Sequence, residues 1–451
     1  MASAAEQMAS NLSWGSFGKA KELQQRILFA LGLLLVYRMG TYIPVPGIDA
    51  TQLAVFFEST RGGIGDMLNM FTGGAVSRMA IFSLGIMPYI SASIIVQLLT
   101  AMVPQLEALK KEGEQGRKKI NQYTRYGTVF LAMFQSYALA AGLESQGLAS
   151  DPGLFFRATV MITLVGGTMF LMWLGEQITA RGIGNGISLI IFVGIVAELP
   201  AALAQFFASG RSGALSPALI IGVMVMVVSV IAFVVFMERA LRKIHIQYPK
   251  RQVGMKVYGG ESSHLPVKLN PAGVIPAIFA SSLLLMPTTI ATFSGSESTG
   301  IAATIAAYMG RGQPLYMLFY GAMVVFFAYF YTANVAFKTE DVAENLKKQG
   351  GFVPGIRPGA KTALYLDYVM VRLLVVGSAY LTAVVLLPEV LISKTAIPFY
   401  FGGTSLLIIV SVTMDTITQV QSHMMAHQYE SLIEKSKLRG RNRAKSRGQR
   451  K

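Results

Sequence analysis

The sequence predicts an all-α polytopic membrane protein with about ten transmembrane helices, arranged as two inverted five-helix halves around a central pore. Three observations carry this expectation. The first is composition: of 451 residues, 53% are hydrophobic and only 14% charged, whereas about a quarter of a soluble chain is charged. Mean hydropathy is +0.51. The second is that apolar runs recur along the chain at lengths near the roughly 20 residues a bilayer requires. The third is a pattern written twice. Gly85-Ile86-Met87-Pro88-Tyr89-Ile90-Ser91-Ala92-Ser93 and Gly273-Val274-Ile275-Pro276-Ala277-Ile278-Phe279-Ala280-Ser281 both read Gly, two apolar residues, Pro, any residue, Ile, any residue, Ala, Ser. Gly/Pro-marked apolar segments in corresponding places are the trace of an internal repeat whose duplicated helices line a central pathway. Proline removes a helix hydrogen bond, so both helices are expected to be locally weak within the membrane.

The candidate spans in order are 23–43, 79–103, 126–143, 158–175, 185–207, 215–237, 272–292, 314–337, 369–388 and 398–420. Residues 1–22 are a polar N-terminal segment with no cleavage pattern after the first apolar run. Arg38 and Arg372 interrupt the first and ninth spans, Glu198 lies in the fifth, and the third and fourth are short. The first half covers 23–207 and the second 208–420, leaving a basic tail at 421–451. Five spans per half is an odd number, so the second copy enters the membrane upside down.

Basic residues set the orientation. Of 39 Lys and Arg, 31 fall in 19–26, 104–125, 176–184, 238–271, 338–365 and 419–451. The alternate stretches hold 6, and Arg38 and Arg372 are the remainder. Both termini are therefore expected in the cytoplasm. This asymmetry also accounts for the net charge of +16 without nucleic acid.

Two basic loops are long. In 238–271, Ile244-His245-Ile246-Gln247-Tyr248 alternates as a short strand does, followed by Lys250-Arg251. In 338–365, Phe352-Val353-Pro354-Gly355-Ile356-Arg357-Pro358-Gly359 is a turn-rich tip presenting one arginine. Length and charge together point to a docking surface for a large partner. Between the first two spans, 62–74 is a short amphipathic stretch with a glycine pair at each end, able to swing. Too short to span, it is an interfacial helix or a re-entrant element. The tail from Lys435 to Lys451 reads as a solvated, disordered basic arm.

Catalytic chemistry is poorly supported. Cysteine is absent, and no Glu follows His423 in the spacing that His423 and His427 would need for a zinc-protease motif. His245 and His264 complete the histidines. Gly182-Ile183-Gly184-Asn185-Gly186 lacks the strand and Lys-Ser/Thr of a phosphate loop. No cofactor or metal is expected. A secondary transporter is the rival reading, because inverted repeats and broken helices mark that class. Its coupling sites are ionisable groups at the midplane, for which Glu176, Asp415 and Arg372 are the candidates. The duplicated helices carry no charge between Arg78 and Glu107, or between Lys268 and Glu297. That suits an apolar constriction better than an ion site.

Eight motifs in order resemble the SecY family of bacterial protein-translocation channels across the spanning region. They are Tyr42-Ile43-Pro44-Val45-Pro46-Gly47, the repeat at 85–93, Lys111-Glu112-Gly113-Glu114-Gln115-Gly116-Arg117-Lys118, Trp173-Leu174-Gly175-Glu176-Gln177, Gly182-Ile183-Gly184-Asn185-Gly186-Ile187-Ser188, Ala272-Gly273-Val274-Ile275-Pro276-Ala277-Ile278-Phe279, the tip at 352–359, and Pro398-Phe399-Tyr400-Phe401-Gly402-Gly403-Thr404-Ser405. Pro271, the short loop 143–157 and the extended tail depart from the pattern.

The resemblance implies an hourglass, water-filled pathway with a waist of Ile86, Ile90, Ile187, Ile191, Ile278 and Ile408. It implies a plug at 62–74, including Ile64, Met67, Leu68, Met70 and Phe71. It also implies a lateral gate between the second and seventh spans, involving Pro88, Ser91, Ser93, Gln97, Pro276, Ser281 and Ser282. Arg357 would dock a motor or ribosome, with Lys250 and Arg251 assisting. The implied partners are SecE and SecG in a heterotrimer, the SecA ATPase, a translating ribosome, signal sequences, unfolded preproteins and membrane lipid. The implied location is the bacterial cytoplasmic (inner) membrane.

Overall fold

The computed structural model describes residues 21–59, 69–213, 216–249, 251–253, 256–258, 262–293, 313–336, 338–394 and 403–448. Of these, 50, 58, 59, 251–253, 256–258, 285–293, 336, 392–394 and 427–448 are described by backbone only. The helices are α1 (Lys21–Gly40), α2 (Ala50–Ser59), α3 (Met87–Met102), α4 (Pro104–Lys111), α5 (Glu114–Ser145), α6 (Leu154–Arg181), α7 (Gly186–Arg211), α8 (Pro217–Arg239), α9 (Ile275–Phe293), α10 (Pro314–Tyr331), α11 (Thr339–Lys348), α12 (Ala360–Lys394) and α13 (Gly403–Gly448). Four short strands, β1 (Leu241–Gln247), β2 (Arg251–Val253), β3 (Lys256–Tyr258) and β4 (Ser262–Lys268), lie between α8 and α9.

Among the described residues, α5, α6, α7, α8, α10, α12 and α13 are long and apolar enough to cross a membrane. The pair α3 and α4, bent by 98° at Val103, makes an eighth. The two other expected spans fall on α1 and α9. α8 buries only Val234 and Met237, and an apolar helix exposed on nearly all sides belongs against lipid or another apolar surface.

Helix starts follow local chemistry. Asn185 caps α7 by accepting from the Ile187 and Ser188 amides at 3.1 and 3.4 Å. Ser216 caps α8 through the Leu219 amide, 3.3 Å, with Pro217 at the first helical position. Both are ordinary N-cap solutions to unpaired amides. α10 runs into a π-helical turn, Thr332–Ala336.

The structure corrects three expectations. Residues 79–86 are not helical: α3 begins at Met87. The Ile81 amide donates to Ile43 O at 2.9 Å and the Val45 amide to Met79 O at 2.8 Å. Met79 and Gly85 have φ of 42° and 57°, which no right-handed helix admits. Nor do the repeated prolines weaken their helices midway. Pro88 lies in the first turn of α3 and Pro276 is the second residue of α9, where the missing N–H costs nothing. Finally, the tail is helical to Gly448. Its Lys, Arg and Ala are strong helix formers, and continuity with α13 removes the cost of nucleation.

The two long loops form one unit. β1 pairs antiparallel with β4, Leu241 opposite Lys268 through Gln247 opposite Ser262, and the expected strand at 244–248 lies within β1 but for Tyr248. Gln247 and Phe352 exchange both backbone hydrogen bonds, 2.9 and 3.0 Å. Ile244, Val267, Ala343, Val353, Leu366, Val369, Met370 and Leu373 bury against one another. The hairpin, α11 and the 352–359 turn thereby stand on the end of α12.

Candidate functional site

The repeated nine residues build the same corner twice. Gly85 and Gly273 are left-handed, φ 57° and 61°, conformations that glycine adopts without a side-chain clash. Each closes a turn, Gly85 N–H to Phe82 O at 2.8 Å and Gly273 N–H to Asn270 O at 3.4 Å. Five residues after each glycine, Ile90 and Ile278 donate to Ile86 O and Val274 O, 3.1 and 3.2 Å. Each corner rests on a glycine of a distant helix. A β-carbon on Gly167 of α6 would overlap Ile81 O, and one on Gly377 of α12 would stand 3.3 Å from Leu269 O. The starts of α7 and α13 match likewise: Gly186 abuts Gly175 O and Gly403 abuts Val384 O, with no room for a β-carbon at either. Ile191 and Ile408 follow those glycines at the same interval.

These corners bring the six isoleucines together. Ile86, Ile90, Ile191, Ile278 and Ile408 are buried in one apolar cluster, and half-buried Ile187 packs against it. Met70 and Phe71 belong to the same cluster. Among the expected plug residues, Ile64, Met67 and Leu68 lie outside the described residues.

The described end of that stretch is anchored. Tyr37 donates to Thr72 O at 3.1 Å, Arg38 donates to Gly73 O, and Ser405 donates to Met70 Sδ at 3.7 Å. The Gly74 amide turns back to Asn69 O, 2.8 Å. Gly73 and Gly74, with φ of 66° and 82°, make a pinned turn rather than the free swivel their sequence implies. Arg38 and Arg78 both approach the Tyr42 ring, at 5.1 and 4.2 Å. Sequence reasoning passed over Tyr37 and Gly194, whose neighbour is Phe71 O, and noted Arg38 only as an interruption of the first span. Arg38 was the legible one, since a charge inside an apolar span signals a function.

α3 and α9 pack directly against each other. Pro88, Ser91, Ser281 and Ser282 are buried. Ser282 Oγ reaches across to Met87 Sδ at 3.6 Å. Gln97 instead bonds Ser93 within α3, 3.1 Å, and Ser281 bonds Ile278 O within α9, 2.9 Å. Arg357 is exposed at its turn, where its carbonyl accepts from Thr362 Oγ1 at 2.9 Å. Lys250 lies outside the described residues and Arg251 is described by backbone only.

The ionisable groups weighed for ion coupling do not converge. Glu176 is paired with Arg125 at 2.7 Å, Arg372 stacks over Tyr368 at 4.0 Å, and Asp415 is exposed. Among the described residues no cluster of three or more His, Asp or Glu could hold a metal ion.

A family model described as SecY matches residues 80–417. The protein translocase subunit SecY of Escherichia coli (strain K12) is 56% identical over 431 residues, 94% of this chain and 97% of that protein. The SecY subunit of Pseudomonas aeruginosa is 54% identical over 430 residues, 95% and 97% of the two chains. The fold is similar to a solved structure described as "The structure of a protein conducting channel", TM-score 0.66 at 18% identity, covering 88% of this chain and 92% of that one. It is also similar to Sec61 in a canine ribosome–channel complex, TM-score 0.63 at 18% identity, with the same coverage.

Proposed function

The chain belongs to the SecY family, and from that premise we propose that it passes unfolded preproteins through an hourglass pore and releases apolar segments into lipid between α3 and α9. It is a multi-pass membrane protein and a channel subunit, not an enzyme. The observation that supports this reading best is the convergence of six isoleucines from α3, α7, α9, α13 and the α3 approach with Met70 and Phe71 in one uncharged cluster. An apolar ring contacts any side chain without strong preference and resists ion leak by dewetting. The packed isoleucines, the anchored residues 70–73 and the α3–α9 contact support reading this arrangement as a shut channel.

Gate opening sorts segments by their own transfer energies. A Leu-rich segment gains roughly 0.3–0.6 kcal/mol per residue on entering lipid, while a central Arg or Asp loses about 2.5–3.5 kcal/mol. The basic bias supports a reading in which the chain lies in a bacterial inner membrane with both termini and the braced loops on the cytoplasmic side. There Arg357, assisted by Lys250 and Arg251, would dock the SecA ATPase or a translating ribosome. SecE and SecG would complete the heterotrimer along apolar outer faces.

The test is ATP- and SecA-dependent protection of a preprotein inside proteoliposomes holding the chain with SecE and SecG. The intact chain should support it. Arg357→Glu should abolish it while SecE co-purification stays normal, and Arg357→Lys should be partly defective because lysine lacks the planar fork. Full export by the glutamate variant would remove Arg357 from the docking site; no export by the intact chain would refute the channel reading.

A further inference from the structure

The twin corners are held differently by one buried side chain. Three residues before the repeat's glycine stands Phe82 in one copy and Asn270 in the other. Phe82 is buried, stacks on Tyr37 of α1 with centroids 6.0 Å apart and on Phe170 of α6 at 6.1 Å, and fills the space over Gly40. Asn270 is equally buried, 1% exposed, but its contacts are polar. Its Nδ2 donates to Glu238 Oε1 at the end of α8, 3.0 Å, and to Gly273 O, 3.0 Å. Its Oδ1 has no partner among the described residues and stands 3.4 Å from where Gly377 would carry a β-carbon. The Leu269 amide adds a bond to Ala240 O at 2.9 Å.

We propose that Glu238 and Asn270 are positioning residues for gating: one amide ties the root of α9 to α8 and so holds the gate helix against α3. The proposal rests on reading α3 and α9 as the gate. Phe82 shows that this position of the corner can be filled by aromatic packing, with no polar side chain. A buried amide with a spare acceptor, paired to a half-buried carboxylate, is the costlier solution, because the polar groups must be desolvated and kept bonded. What the polar pair provides is a directional contact that fixes one seat and is lost outright when the root shifts by an ångström or two, since hydrogen bonds weaken steeply with distance and angle. Aromatic packing over Gly40 tolerates such a shift far better. The α9 side of the gate is thus held by a bond that can break, and the α3 side by a packed wedge. Glu238 also interacts electrostatically with Lys268, Asp415 and Tyr380, so acceptance of the amide must be separated from simple charge.

The chain has no cysteine, so Met87→Cys with Ser282→Cys, at the observed cross-gate contact, gives an uncluttered reporter in the reconstituted heterotrimer. Disulfide formation is followed with and without a synthetic signal peptide. Peptide should slow it several-fold in the parent pair; no response would refute the gate reading itself. Adding Glu238→Ala or Asn270→Ala should slow it at least three-fold without peptide and allow export of a preprotein with a defective signal. Adding Glu238→Gln, which retains an acceptor for Asn270, should restore the parent rate. Parent rates in both alanine variants, recovered in normal amounts with SecE, would overturn the positioning role. So would a glutamine variant as slow as the alanine one, which would make the charge and not the bond responsible. If one alanine variant fails to accumulate, the other reads the same step.

Discussion

Adjacent glycines at 166 and 167 separate packing from propensity at the scale of single residues. Gly166 is exposed with nothing near its missing β-carbon, whereas a β-carbon on Gly167 would overlap Ile81 O. Gly166→Ala should leave thermal stability in detergent unchanged or slightly higher. Gly167→Ala should cost about 1–3 kcal/mol through overpacking, read as a lowered unfolding midpoint. Equal midpoints would mean that the corner at 79–86 is not seated on α6. Nothing in sequence singles out Gly167 or Gly377 among 45 glycines, and the motifs holding Gly186 and Gly403 do not say what abuts them, because each role is set by which backbone approaches in the fold. The isoleucines were legible only through the family's motifs: i, i+4 spacing puts Ile86 with Ile90 and Ile187 with Ile191 on shared faces, but any span offers such pairs. Glu238 and Asn270 escaped notice because both fall at the borders of a loop defined by its positive charge.

Among elements, the apolar runs located the helices and the Gly-x-x-Pro signal marked the internal repeat, but the proline's local meaning was misjudged. Read along one strand of sequence, proline inside an apolar run looks like a kink. Read with Gly85 left-handed and the Ile43–Ile81 bond in place, it is a helix start. The strand at 244–248 was visible from its alternation, whereas its tie to Phe352 depends on partners a hundred residues away. The root of the proposed plug is the element whose behaviour the structure sharpens most. Tyr37, Arg38 and Ser405 hold residues 70–73, so displacement of the plug should begin N-terminal to Met70. Deleting 64–71 should leave a chain that assembles with SecE in normal amounts, leaks ions and accepts defective signal sequences. A deletion that prevents accumulation would make the segment a strut for α1 and α7 instead.

For the whole molecule, composition and span count were enough to reach a polytopic helical membrane protein, and the basic-residue bias gave an orientation. The internal repeat appears in three dimensions as paired corners, each a left-handed glycine, a proline-started helix and a glycine seat on a distant helix. Those corners deliver Ile90 with Ile278, and the matching starts of α7 and α13 deliver Ile191 with Ile408, to one cluster. The central claim is that this cluster is the seal of a protein-conducting pore. Single-channel conductance in planar bilayers tests it most directly, comparing the intact heterotrimer with Ile278→Asp and Ile86→Asp. A buried carboxylate draws water into an apolar constriction and removes its dewetting barrier. The account predicts a near-silent intact channel and resting ion currents in both variants, each recovered in normal amounts with SecE. Silent variants at normal recovery would contradict it and return these isoleucines to ordinary helix packing.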